Sequence, residues 1–123
     1  MTPSDIINSV LQIKPSVLDT SALLSFLNRI EAKLLLILND QAVFTPFKFE
    51  NIGTDTLLLG QEHSEIYEYY LCSQIDFYSN DIASYNNSIV MFNTAFIDYA
   101  NEIKSRKTAT TSIKFDYEGA FKK

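Results

Sequence analysis

Residues 64–105 read SEIYEYYLCSQIDFYSNDIASYNNSIVMFNTAFIDYANEIKS, and this stretch decides the fold. Its second half is the cleaner. Ile82, Tyr85, Ile89, Phe92, Phe96, Tyr99 and Ile103 recur at alternating steps of three and four, which places them on one stripe of a helix. The first half carries Ile66, Tyr67, Tyr69, Tyr70, Leu71, Ile75, Phe77 and Tyr78 over a helix expected to begin near Glu62 or Ser64 and to end near Ser79. Asn80-Asp81 marks a tight connection, with Asn80 as the expected N-cap of the following helix. Two helices joined by so short a turn must pack antiparallel.

Upstream, Thr2-Pro3-Ser4-Asp5 is a helix start: Thr2 caps, Pro3 suits the first helical position and Asp5 favours the positive end. The short helix buries Ile6, Ile7, Val10 and Leu11 until Pro15 stops it. Asp19-Thr20-Ser21 caps a second helix with a seam of Leu23, Leu27, Ile30, Leu34 and Ile37. Leu24, Phe26, Leu35, Leu36 and Leu38 widen that seam almost all round, so this helix needs cover on more than one side, and a neighbouring subunit could supply it. From Asn39 to Gly60 the helical period breaks. Phe44, Phe47 and Phe49 flank Pro46, Gly53-Thr54-Asp55 suggests a turn, and Leu57, Leu58 and Leu59 follow, which reads as a β-hairpin-like excursion. After Arg106, Thr108 to Ser112 has poor helix propensity, and Ile113, Phe115 and Tyr117 then alternate with charged residues in a strand-like period of two. The expected architecture is mainly α: a small antiparallel bundle of about four helices over 1–107, an extended loop inserted at 39–61, and a C-terminal extended arm over 108–123.

A chain of 123 residues suits one domain with one core, and an apolar fraction of 46% is globular. A net charge of −5, with no basic stripe, argues against a nucleic-acid binder. Lys104, Arg106 and Lys107 sit where a helix C-terminus favours positive charge. A single cysteine, Cys72, excludes an internal disulfide, and its use fits a reducing compartment. No signal peptide is visible in residues 1–13, and the densest apolar run, Ala32 to Leu38, is far short of a membrane span, so a cytosolic, membrane-free protein is expected.

Catalytic chemistry finds little footing. His63 is the lone histidine, next to Glu62 and Glu65, and reads as a residue at a helix end. Cys72 reads as a small packed side chain. Asp76, Asp81, Asp98 and Glu102 could form a carboxylate pair on paper, but nothing in their spacing separates that from a solvated helix face, and glycines at 53, 60 and 119 cannot form a phosphate loop. No enzyme activity, metal or cofactor is expected. Asn86-Asn87-Ser88 is a chance match to the glycosylation sequon. Asn86, Asn87, Ser88 and Asn93 are nevertheless weak helix formers in mid-helix, equally readable as a plain polar face or as a hydrogen-bonding surface. The phenylalanine loop and the apolar tail segment are likewise either packed within the chain or offered to a partner by strand addition.

Glu65-Ile66-Tyr67-Glu68-Tyr69-Tyr70-Leu71, Gln74-Ile75-Asp76-Phe77-Tyr78, Tyr85-Asn86-Asn87-Ser88 and Met91-Phe92-Asn93 resemble a pattern in small proteins of phages and prophages of low-GC Gram-positive bacteria. Ile13-Lys14-Pro15 and Phe44-Thr45-Pro46-Phe47 extend the resemblance over most of the chain to about Ala100. It departs at Ser25-Phe26-Leu27, where such proteins often have Trp, at Gln61-Glu62, where a proline often opens the third helix, and from Thr108 onward. These proteins look like head–tail connectors, also called adaptors or head-completion proteins. The resemblance implies a virion protein, made in the host bacterial cytoplasm. It implies a ring, about twelve-fold to match a portal, between the portal and a downstream neck, stopper or tail protein. DNA would be passing cargo only. The expected interface residues are Phe44, Phe47, Phe49, Asn86, Asn87, Asn93, Ile113, Phe115, Tyr117 and Phe121. The alternative is a small helical assembly chaperone or regulator that binds one protein partner.

Overall fold

The computed structural model describes residues 1–16 and 18–122, with the side chains of 107–122 outside that description. Four α-helices follow in order: α1 (Pro3–Ile13), α2 (Thr20–Leu38), α3 (Ser64–Tyr78) and α4 (Ile82–Lys122). Short 3-10 turns at Phe49–Asn51 and Gln61–His63 interrupt the connection between α2 and α3. The helix α3 touches each of the other three, so it is the hub of the bundle.

Local chemistry sets the helix starts. The Thr2 hydroxyl accepts from the Asp5 N–H at 3.2 Å while the Asp5 carboxylate accepts from the Thr2 N–H at 2.9 Å, a reciprocal capping box with Pro3 in the first turn. Asp19 caps α2 by accepting from Ala22 N–H at 2.8 Å. Ile6, Ile7, Val10, Leu23, Leu27, Ile30 and Leu34 are buried, which is the seam read from their spacing. The wide apolar collar of α2 is only partly covered: Leu36 is 57% exposed while Leu35, Ile37 and Leu38 are half-buried.

The α3–α4 turn has a different cap from the one expected. Asn80 is not the N-cap; it holds the left-handed conformation with φ 58°. The Asp81 N–H donates to the Asp76 carbonyl at 3.0 Å and the Asn80 N–H to the Phe77 carbonyl at 3.2 Å, so the last turn of α3 closes on itself in a Schellman motif. Asp81 then caps α4, its carboxylate accepting from Ser84 N–H at 3.1 Å. Asparagine serves both jobs, so composition alone does not separate them; the two consecutive residues each take one.

Across the turn, three ring contacts register the hairpin. His63 meets Tyr99 at 4.8 Å, Tyr70 meets Phe92 at 5.1 Å and Phe77 meets Tyr85 at 5.7 Å. Each step is seven residues forward on one strand of the hairpin and seven back on the other, which is antiparallel packing at the heptad period. Phe92, Tyr99 and Ile103 are buried, as the stripe demands. Ile82, first in the expected stripe, is 73% exposed at the turn itself, past the last residue of α3.

Neither of the two extended elements expected from the sequence is present among the described residues. The loop over 39–61 contains no strand among the described residues, because its backbone groups pair with other elements rather than across a ladder. The Asn28 side chain accepts from Phe47 N–H at 2.8 Å and donates to Phe47 C=O at 3.2 Å. Ser4 N–H donates to Ile52 C=O at 2.9 Å, and Leu57 N–H to Met1 C=O at 2.9 Å. The turn near Gly53 does form, with Thr54 and Asp55 N–H both donating to Asn51 C=O. The extended arm over 108–123 is also corrected, since α4 runs unbroken to Lys122. No proline interrupts that segment, and a started helix gains a hydrogen bond per added residue, whereas a lone strand has nothing to pair with. The side chains of Ile113, Phe115, Tyr117 and Phe121 lie outside the described residues.

The left-handed backbone at residue 80 gives a sharp test. Asn80→Gly should leave stability within about 0.5 kcal/mol, whereas Asn80→Val should cost about 1–2 kcal/mol through its β-branched side chain, read from urea midpoints. Equal midpoints for the two variants would contradict the assigned turn.

Candidate functional site

Two buried polar centres hold the bundle, and their polar atoms are partnered within it. Glu31 on α2 is 1% exposed and Tyr67 on α3 is fully buried. The Tyr67 hydroxyl donates to Glu31 Oε1 at 2.6 Å and accepts from Leu59 N–H at 3.1 Å, while Glu31 Oε2 accepts from Leu58 N–H at 2.9 Å. The descending leg of the loop is thereby locked to two helices, and Leu57 and Leu59 are driven into the core. Burial holds the Glu31 carboxyl above its ordinary value, against the hydrogen bonds from Tyr67 and Leu58. Burial, then the neighbouring Glu31 charge, pushes the Tyr67 phenol far above its ordinary range. The second centre joins α1, α3 and α4: Asp76, 3% exposed, accepts from Lys14 Nζ at 2.6 Å and from Ser88 Oγ at 2.9 Å. Every buried side-chain polar atom among the described residues has a partner.

The expected interface residues divide into three groups. Phe44 and Phe47 are half-buried and meet edge to face at 6.4 Å, so they serve the loop's own packing, while Phe49 is 58% exposed. Asn86, Asn87 and Asn93 are exposed on the side of α4 away from α3. They share that side with Val90 (59% exposed), Met91 (43%) and Ile97 (55%), so the face is mixed apolar and amide rather than plainly polar. Ser88, their neighbour in sequence, turns inward to Asp76. The third group, Ile113, Phe115, Tyr117 and Phe121, has no described side chains.

His63 and Cys72 both take part in packing. His63 is half-buried with its ring edge-on to Tyr99. Cys72 lies in the core, and burial pushes its thiol up, away from the reactive thiolate. Among the described residues no group of three or more His, Cys, Asp or Glu could hold a metal, and no helix is long and apolar enough to cross a membrane.

One feature had no sequence signal beyond its aromatic content. At the α3–α4 turn, Phe77, Tyr78, Ile82 and Tyr85, with Asp76 and Asp81, line an open cup of about 400 Å³. Phe77 and Tyr78 are 58% and 56% exposed there. Each was read as part of an apolar helix, but the cup exists only because the left-handed turn at Asn80 brings the end of one helix beside the start of the next. Set against known protein families, curated proteins and solved structures, the chain finds no match in any of the three.

The Glu31–Tyr67 joint yields two measurable consequences. Tyr67→Phe leaves Leu59 N–H and one Glu31 oxygen without a partner and should cost about 1–3 kcal/mol in urea unfolding. Because the folded pKa of Glu31 is raised, its contribution to stability is present below about 4.5 and lost as pH rises through the raised value. Relative to Glu31→Gln, the wild type should therefore lose stability as pH climbs from 4.5. A constant difference between the two across that range would refute a raised pKa.

Proposed function

We propose that this chain is a structural assembly protein: a head–tail connector of a tailed phage, forming a ring between the portal and the downstream neck or tail protein. No step of chemistry is assigned to it. The role is to bury surface against copies of itself and against its neighbours, with DNA passing as cargo.

The observation that carries this reading is the outer face of α4. Val90, Met91 and Ile97 are exposed along with Asn86, Asn87 and Asn93, outside the heptad seam that packs on α3. A helix that satisfies one partner and still presents aliphatic side chains interleaved with amides has the composition of a second helix-packing face, where an amide sets register and the aliphatics contribute burial. The segment with the most specific resemblance to connector proteins, residues 64–93, includes Asn86, Asn87, Val90, Met91 and Asn93 of this face. Exposed Val43, Phe49 and Leu58 add further apolar surface on the loop side.

The test is direct. The chain should be found in purified virions of the encoding phage by mass spectrometry, in fixed ratio to the portal protein. Its absence from mature particles would leave an assembly chaperone and sink the connector reading. In solution, Val90→Asp with Ile97→Asp should reduce self-association at least about tenfold while leaving helical circular dichroism unchanged, since a charge on each of two buried contacts costs more than 1.4 kcal/mol.

A further inference from the structure

The cup at the α3–α4 turn has walls, sign and placement that together select a ligand class. Its walls are a train of rings held in place by one another. Arg29 lies 5.7 Å over Phe26, Phe26 stacks on Tyr78 at 5.5 Å, Tyr78 meets Phe77 edge to face at 5.3 Å, and Phe77 meets Tyr85 at 5.7 Å. Exposed aromatic faces so fixed attract a cation through the ring quadrupole. The helix ends themselves give no net sign, because the negative end of α3 and the positive start of α4 meet at the same turn. The sign comes from the carboxylates. Asp76 is already balanced by Lys14, but Asp81 stands at the rim with its carboxyl held below the ordinary range by the Ser84 N–H it caps.

The chain itself carries the complementary charge, and far away. Residues 1–103 contain thirteen Asp and Glu against four Lys and Arg, a formal charge of −9; residues 104–123 contain six Lys and Arg against two Asp and Glu, a formal charge of +4. Lys104 and Arg106, the first of these cations, are exposed on α4, and Arg106 is paired there with Glu102, so Lys104 is the readier donor. At about 1.5 Å per residue, Lys104 lies roughly 33 Å along α4 from Ile82 at the cup. A continuous helix does not fold back over that distance, so Lys104 and Arg106 cannot reach the cup of their own chain.

We propose that the cup holds a guanidinium or ammonium side chain of a second copy of this chain, presented by the basic stretch that begins at Lys104. The proposal deepens the ring-forming reading and rests on it. Donor and acceptor sit at different places on the subunit, so the contact is head-to-tail, and such contacts generate rings or open chains rather than two-fold dimers.

Light scattering on the full chain tests it with three variants. Asp81→Asn keeps the cap and removes the charge, Tyr78→Ala removes a wall, and Lys104→Glu with Arg106→Glu reverses the donor. Each should weaken self-association several-fold to tenfold, and the wild-type contact should weaken with added salt. Mixing the Tyr78→Ala chain with the Lys104→Glu/Arg106→Glu chain should restore one contact and stop at a dimer, a result that no symmetric interface produces. Independently, a synthetic peptide of residues 104–123 titrated into the full chain should shift the ring signals of Tyr78 and Tyr85 in NMR spectra, and Asp81→Asn should abolish the shift. Wild-type rings with all three variants still assembling would overturn the cup and leave the ring standing. A monomeric chain whose Tyr78 signals shift with the peptide would keep the cup and overturn the ring. A monomeric chain with no shift would overturn both.

Discussion

The 2.6 Å hydrogen bond between the Tyr67 hydroxyl and Glu31 is the joint on which the arrangement of the bundle turns. Both residues are buried, and each also receives a backbone N–H from the loop between α2 and α3. Burial of Leu57 and Leu59 contributes about 2 kcal/mol each, while ordering a residue costs about 1–2 kcal/mol of backbone freedom. Two leucines therefore cannot order a loop that runs from 39 to 61. The four anchors supplied by Asn28, Glu31, Tyr67 and the N-terminal backbone settle its course. A carboxylate placed in an apolar core would be unfavourable if unpaired; here its two oxygens fix a loop that has no ladder of its own.

Around that joint the helices divide the work. α3 is the hub, with buried residues over most of its circumference, including Ser73 and Asp76. α4 contributes one seam, and the heptad spacing of the His63–Tyr99, Tyr70–Phe92 and Phe77–Tyr85 contacts keeps that seam facing α3 along the hairpin. The price of this regularity is that the other side of α4 stays open, with Val90, Met91 and Ile97 in water. A regular helix packed on one side and apolar on the other leaves a face open to a further packing partner.

The two surfaces assigned to assembly differ in physical kind. The outer face of α4 is broad, apolar and amide-bearing, so its contacts depend on burial and on register. The cup at the turn is small, aromatic and acidic, so it selects charge and orientation. A contact of the second kind with a donor some 33 Å along the same helix gives an assembly a direction, and one of the first kind gives it area.

How legible was this in the sequence? The helix starts at Thr2 and Asp19, the stop at Pro15, the seam of α2 and the stripe of α4 from Tyr85 to Ile103 all follow from local rules, since each depends on residues within a turn or two of one another. The long-range partners do not. Nothing near Glu31 indicates that it faces Tyr67, and nothing near Asn28 indicates that it clamps Phe47, because those pairings cross 36 and 19 residues of chain. The loop of phenylalanines was read as a hairpin because alternation and turn residues look the same whether a backbone pairs with a neighbouring strand or with side chains of a helix. Residues 113–117 were read as a strand from their period of two, which the absence of a strand partner and the continuity of α4 outweigh. The sequence by itself determined the four helices up to about residue 107 and which face of each would be apolar, because those properties are local. Only the tertiary structure decided where the loop lies and how the turn at Asn80 gathers Phe77, Tyr78, Tyr85 and Asp81 into one cup, because those depend on groups that meet only when the helices pack.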